Sequence, residues 1–301
     1  MSSYTSYNGL FGAVPCPKPG IYPDMNEDEY RAWDAANYST LKDLSGFYYC
    51  PAKAFTQKEP TSSMKLGTLF HEAMQGPIKH DMNLLPSTIG RRFGKKWEEF
   101  KALHPGNWMP QKEYDDATRE IQKAEAMADA VRANPTYAGW VENSPHFEVA
   151  MVADIPVCDR FGEEHLFRCK CKADLVAGGG IIDYKSVQSS NPYDFFKDIA
   201  KWRYHVQAAF YPDIMQHALG RADECWFAFV TCESSAPHIV GLFDPKEGAA
   251  SYDSAFARGR NAYQEALLRL PSLMEHGIEN KYYCDTQKEP VCGVNLPSWA
   301  D

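Results

Sequence analysis

Apolar residues recur at helical spacing through residues 63–75 (SMKLGTLFHEAMQ), where Met64, Leu66, Leu69, Phe70, Ala73 and Met74 share one face. This predicts a helix, stopped by Gly76-Pro77. Residues 113–133, rich in Ala, Glu, Lys and Met, predict a second helix that ends before Asn134-Pro135. Shorter helices are expected over 24–33, with acidic residues in the first turn, and over 39–44, with Ser39 as the cap. The pattern then changes period. Residues 146–155 (HFEVAMVADI) predict a strand. Residues 166–177 alternate in their first half, Gly178-Gly179-Gly180 supplies a turn, and 181–187 (IIDYKSV) predict a second strand, so 166–187 form a β-hairpin. One long helix is expected over 192–219, with Pro192 in its first turn and a kink at Pro212. Strands at 225–231 and 238–243 and a helix over 245–274 complete the pattern, with an irregular tail. Residues 1–23, rich in Gly, Pro, Ser and Tyr without any period, are expected to be a loose arm. Residues 77–111 are expected to be loops with short helices.

Helices, then strands, a helix, more strands and a last helix imply a mixed α/β core with a helical N-terminal layer. The expected organisation is a single unit over 24–301, helical in 24–140 and carrying the core in 141–301. Of the 301 residues, 44% are hydrophobic and 24% charged, which excludes a disordered chain or a fibrous repeat. No run of about 18 apolar residues is present, so no membrane partner is expected. The N-terminus lacks the basic and apolar regions of a signal peptide, and nine scattered cysteines do not make a disulfide framework. A reducing, cytoplasmic setting follows. The formal charge of −9 argues against coating nucleic acid through bulk charge. It leaves open a local basic channel and a metal.

The most informative chemistry lies in 172–185, where Lys172-Ala-Asp174 precedes the glycine turn and Asp183-Tyr-Lys185 follows it. Residues two apart on a strand point to the same face about 6.6 Å apart. Hairpin pairing brings Asp174 across from them. Asp183 directly follows two isoleucines, and a half-buried carboxylate is costly unless paired or metal-bound. Carboxylate oxygens suit Mg²⁺ or Mn²⁺. Asp-x-Lys alone occurs by chance in most proteins of this size, so its companions decide. They are His71 on the 63–75 helix, with Gly67 one turn earlier permitting close approach of a neighbouring strand; Glu148 on the strand before the hairpin; and Tyr204, Gln207 and Tyr211 along one helix face. Lys197, Lys201 and Arg203 add local positive charge.

Taken in order, GTLFHEAM, a strand Glu, KADLV, IIDYKS and YHVQAAFY resemble the PD-(D/E)XK nuclease superfamily in its RecB-like branch. Within that branch the pattern looks most like the RecE-type (exonuclease VIII) enzymes of phages and prophages. The segments YSTLKDLSGFYYCPAKAF and NLPSWAD extend the resemblance over about residues 37–299. The resemblance implies a restriction-endonuclease-like core with a central mixed β-sheet flanked by helices. It implies His71, Asp174, Asp183 and the Tyr184 main-chain carbonyl as metal ligands, Lys185 as the catalytic lysine, and Gln207 and Tyr211 as the Q-x-x-x-Y motif that positions the lysine and a DNA phosphate. Glu148 matches an acidic position on the preceding strand that binds metal directly or through water. The motif's proline is replaced by Ala173, which leaves the metal chemistry intact. The resemblance further implies Mg²⁺, with Mn²⁺ as a substitute, and 5′→3′ degradation of linear double-stranded DNA from its ends. It also implies 3′ tails for a single-strand annealing partner and a ring-like homo-oligomer. Tyr204, Arg91, Arg92, Lys95 and Lys96 are read as candidate DNA contacts.

Some RecB-like nucleases carry a four-cysteine iron–sulfur cluster. Cys50, Cys284 and Cys292 occupy comparable regions, but a third late cysteine with the required spacing is missing, so no cluster is expected. Cys169 and Cys171 alternate on a strand and read as packing residues. Two further readings compete with the exonuclease: a Cas4-like or repair nuclease of other polarity or endonucleolytic action, and a catalytically silent DNA-binding scaffold.

Overall fold

The structure is a computed structural model that describes residues 7–284 except 47, 57, 143–144, 221–224 and 245–254. Ten helices are described: α1 (Glu27–Ala32), α2 (Tyr38–Leu44), α3 (Pro51–Phe55), α4 (Ser62–Gln75), α5 (Lys95–Leu103), α6 (Gln111–Arg132), α7 (Pro135–Val141), α8 (Pro192–Trp202), α9 (Tyr204–Leu219) and α10 (Ala255–His276). The central sheet has six strands: β1 (Gly20–Tyr22), β2 (His146–Cys158), β3 (Glu164–Ala177), β4 (Gly180–Val187), β5 (Trp226–Glu233) and β6 (Val240–Phe243). They lie side by side in chain order. Every neighbouring pair is antiparallel except β4 and β5, which run parallel because α8 and α9 form the crossover between them. This is the mixed α/β, restriction-endonuclease-like architecture expected.

The hairpin closes where the glycines direct it. Gly178 and Gly179 take φ of +56° and +82°, the two positive values that a two-residue hairpin loop demands. Ala177 then pairs with Gly180. β4 is buried along nearly its whole length, as a strand covered on both faces must be. One face of the sheet packs on α2, α9 and α10, where Phe210, Ile214, Tyr263 and Leu267 meet Phe167, Cys169, Cys171 and Phe229. The other face packs on α4, α6 and α7, where Phe70, Met127 and Tyr137 meet Leu175, Ile182 and Tyr184. Cys169 and Cys171 are buried packing thiols. Among the described residues, no helix is long and apolar enough to cross a membrane.

Three local expectations are corrected. The segment read as a loose arm is docked where it is described: β1 pairs with β2 at the sheet edge, and buried Tyr7 donates to the Arg168 carbonyl at 2.9 Å. Asp34 accepts from the Gly9 and Phe11 amides, so side chains rather than a regular period order this stretch. Lys170, only 2% exposed, donates to the carbonyls of Tyr30, Arg31 and Trp33 and so caps the C-terminal end of α1. The helix over 192–219 is two helices, because Arg203 adopts φ +59° and ψ 35° and breaks the run. Its guanidinium donates to Ser45 Oγ and lies over Gly46, so tertiary contacts hold a residue that has no intrinsic need to be left-handed. The cap of α2 is Asn37, whose side chain accepts from the Thr40 amide, rather than Ser39. Part of the helix expected over 245–274 falls on 245–254, outside the described residues; α10 covers the remainder.

Candidate active site

The site lies where β3 and β4 separate. Their ladder consists of Ala177↔Gly180, Val176↔Ile181 and Leu175↔Ile182. Beyond it, side chains replace backbone partners: the Tyr184 amide donates to Asp174 Oδ2 at 2.8 Å, and the Tyr184 carbonyl faces His71 Nε2 at 3.0 Å. β2 changes character at the same level. Phe147 and Val149 pair with Leu175 and Ala173, but Glu148 between them has φ +53°, uncommon for a residue with a side chain. Phe147 and Leu175 pack toward α4 and α6, whereas Val149 and Ala173 pack toward α9. Both strands therefore switch faces at Glu148 and Asp174, which turns two carboxylates into the fork.

α4 delivers His71 to it. Gly67, one turn earlier, lets the helix lie close to β4: a Cβ there would stand 3.3 Å from Ser186 Oγ. His71 Nδ1 is 3.3 Å from Asp174 Oδ1, so both ring nitrogens face acceptors. Burial favours the neutral ring, but the Asp174 carboxylate outweighs it and pushes the imidazole pKa up to about 9. The reciprocal effect, opposed by burial, holds Asp174 below its usual range.

The opposite face carries the second half. Asp183 is 2% exposed and Lys185 reaches back to it as an ion pair through Oδ2. Gln207 of α9 bridges the two: its Nε2 donates to Asp183 Oδ1 at 2.5 Å, and its Oε1 accepts from Lys185 Nζ at 3.2 Å. The ammonium also lies 4.8 Å from the Tyr204 ring centroid and 5.9 Å from that of Phe229. Burial pushes the Asp183 carboxyl up to about 6, with Lys185 opposing and Asp174 adding. Burial also opposes the charge on Lys185, yet Asp183 and Asp174 hold its pKa above the ordinary value. Tyr204 and Gln207 make these contacts from the first turn of α9, directly after the break at Arg203.

Ligating atoms of His71, Glu148 and Asp174 lie within 4.8 Å of one another. Asp183 Oδ2, fully buried, receives no hydrogen bond despite its contact with Lys185. An imidazole, two clustered carboxylates and a further buried carboxylate oxygen match the donors that divalent cations take. The residues therefore fit a divalent ion. Bound there, it would compete with a proton for the His71 ring.

The structure brings together His71, Glu148, Asp174, Asp183, the Tyr184 carbonyl, Lys185, Tyr204 and Gln207. Glu148 stands nearer the His71–Asp174 pair, while Asp183 faces Lys185 and Gln207. Tyr211 sits one turn beyond Gln207 and packs edge-on against Tyr38, ring centroids 6.2 Å apart. Arg92 pairs with Glu113, Lys95 with Glu99, and Arg91 lies over the Phe93 ring, so the contacts of this basic stretch are local; Lys96 is exposed. Two contacts were not foreseen from the sequence. Lys172 bridges Glu148 and Glu27, each at 2.8 Å, and so anchors the Glu148 carboxylate. Tyr137 and Tyr184 share a hydroxyl hydrogen bond of 2.7 Å beneath the fork. Lys172 stands two residues before Asp174 on the same strand and Tyr184 lies within the Asp183–Lys185 motif, whereas Tyr137 carries no sequence signal. Cys292 lies outside the described residues, as does the side chain of Cys284; Cys50 is buried.

A family model for a PDDEXK-like domain of unknown function (DUF3799) matches residues 37–289. The chain belongs to this PDDEXK-like family. The match spans both halves of the site, from His71 to Gln207, and establishes the PD-(D/E)XK superfamily. Among solved structures, a "Putative exonuclease" from Eubacterium rectale is 15% identical with a TM-score of 0.53, covering 86% of this chain and 91% of that chain; it shares the fold. A second, SSO0001, is 10% identical with a TM-score of 0.25 and covers 70% of this chain and 83% of that chain. No curated protein matches the chain.

Proposed function

We propose that this PDDEXK-like domain is a metal-dependent exodeoxyribonuclease acting on linear double-stranded DNA. The observation that carries the reading is the Asp183–Gln207–Lys185 triangle beside the His71–Glu148–Asp174 cluster. Four side chains can hold a divalent cation, Mg²⁺ with Mn²⁺ as a substitute, and an ammonium is fixed next to them. When bound, the cation supplies Lewis-acid polarisation of a phosphoryl oxygen and lowers the pKa of a coordinated water. The chain supplies the remainder. Asp183 and Gln207 hold Lys185 charged and aimed, so that it donates to the attacking water or to a phosphoryl oxygen as negative charge builds. The Tyr204 ring limits its freedom from below. Water attacks phosphorus in line and gives up its proton to solvent, the phosphorus–oxygen ester bond breaks, and the departing oxygen takes a proton from solvent. No covalent intermediate is required.

The RecE-type resemblance and the printed name of the Eubacterium rectale relative support exonuclease action. The proposal extends, on the resemblance alone, to 5′→3′ polarity, 3′ tails for a single-strand annealing protein in recombination, and a ring-like homo-oligomer. The test is incubation of linear and covalently closed duplex with Mg²⁺ and with Mn²⁺. Loss of linear DNA alone, with end-labels released from the 5′ side, is expected. Nicked circles would make the domain an endonuclease. Intact DNA in both metals, with binding retained, would make it a scaffold.

A further inference from the structure

A cavity of about 330 Å³ opens beside the site, lined by Lys42, Lys53, Lys58 and Arg203 together with Tyr49 and Tyr282. Four cations face one carboxylate, Asp43, in a chain of net charge −9. Among the described residues, only Lys58 of the four is ion-paired, with Asp43 at 2.7 Å. Lys53 meets the Tyr282 hydroxyl at 2.5 Å, Arg203 meets Ser45 Oγ at 2.8 Å, and Lys42 lies 5.3 Å from the Tyr38 ring centroid. Such a concentration of like charge is costly unless an anion joins it. Burial lowers the Lys42 pKa, Asp43 opposes it, and Lys58, Lys185 and Arg203 lower it further.

The cavity lies close to the machinery already described, near enough for the Lys185 charge to act on Lys42. Tyr38, one turn before Lys42 on α2, packs edge-on against Tyr211. Arg203 directly precedes Tyr204, whose ring lies under Lys185. A chain of nucleotides engaged at Lys185 has this positive cavity nearby, and the exposed Tyr282 ring on its wall, with the Lys53 ammonium 4.9 Å from its centroid, offers a surface to a sugar or base. We propose that the cavity defined by Lys42, Lys53, Lys58 and Arg203 receives a second phosphate of the nucleic-acid strand whose scissile phosphate sits at Lys185. The proposal rests on the nuclease reading for the identity of the strand, and on the cavity itself for the anion.

The test measures binding without cleavage. Full-length protein in EDTA is titrated with 3′-fluorescein-labelled oligothymidylate carrying either a 5′-phosphate or a 5′-hydroxyl. The triple variant Lys42→Gln, Lys53→Gln, Lys58→Gln is expected to weaken binding at least tenfold. The slope of log affinity against log salt should fall by about 0.7 for each lysine that touches a phosphate of a single strand. Inorganic phosphate alone should raise the wild-type Tm and leave that of the variant unmoved. A preference for the 5′-phosphate that the variant loses assigns the cavity to the strand terminus; equal weakening of both oligonucleotides assigns it to an internal phosphate. If the triple variant does not fold, Lys53→Gln, an exposed single change, together with the wild-type phosphate shift carries the test. A folded variant with unchanged affinity and salt slope overturns the proposal. Failure of the nuclease reading would show separately, as absent cleavage in Mg²⁺ and Mn²⁺ while this binding persists.

Discussion

Replacing Lys185 by Met separates chemistry from folding. The ammonium is the counter-charge of Asp183, which is 2% exposed, and removing one partner of a fixed buried pair costs about 3–5 kcal/mol. Asp183 has a cheaper route, because burial already pushes its pKa up to about 6. Taking up a proton at pH 7 then costs about one pKa unit, or about 1.4 kcal/mol, and at pH 8 about 2.7 kcal/mol. The sign follows from a raised carboxylate pKa: the penalty for ionising Asp183 is absent below its unfolded value and fully present above about 6. Without Lys185 that carboxyl stays protonated to higher pH. Urea unfolding in EDTA should therefore show a loss of about 1–2 kcal/mol at pH 7, growing toward pH 8 and shrinking toward pH 5.5. Single-turnover cleavage of linear duplex in Mg²⁺ should fall by about 10²-fold or more, the scale of losing one preorganised donor to a transition state. Cleavage within threefold of wild type, or a stability loss independent of pH, would refute this reasoning.

Gln207→Leu should slow cleavage by about 10–100-fold without changing DNA affinity, because Lys185 and Asp183 lose the bridge that orients them; an unchanged single-turnover rate would remove Gln207 from that role. In EDTA, the raised His71 pKa stabilises the fold fully below about pH 6.5, and that contribution of about 3 kcal/mol is lost as pH rises through about 9. Thermal melts should show this decline in wild type and a flatter one in His71→Gln. Mn²⁺ should raise the wild-type Tm, and Asp174→Asn should abolish the rise. Gly259→Ala places a Cβ 1.9 Å from the His205 carbonyl oxygen, so α9 and α10 must move apart, and urea denaturation should show a loss of about 1–3 kcal/mol.

Much of this architecture could be read from residue patterns, and the exceptions share a cause. The β3–β4 hairpin is local: two glycines with positive φ close it, and alternation marks its strands. His71, Asp174, Asp183, Lys185 and Gln207 could be named because short motifs carry them. The separation of β3 from β4 was not legible, since continued pairing and a fork call for the same residues; it depends on His71 arriving from α4 to take the Tyr184 carbonyl. The left-handed Arg203 was hidden for the same reason, being held by Ser45 more than 150 residues away. Asn134-Pro135 marks the end of α6 in the sequence, and in the structure it also starts α7, with Asn134 as its cap and Pro135 as its first residue. β1 and Tyr7 lacked any period because their partners, Val152 to Ala150 and the Arg168 carbonyl, are remote in sequence.

The most direct measurement is a crystal structure of the protein soaked in Mn²⁺, with anomalous diffraction recorded near the manganese edge. A peak within about 2.2 Å of a His71 ring nitrogen and of Asp174 and Glu148 carboxylate oxygens, beside Asp183, is the predicted result. Manganese bound elsewhere, with His71 still joined to the Tyr184 carbonyl and Asp174, would contradict it.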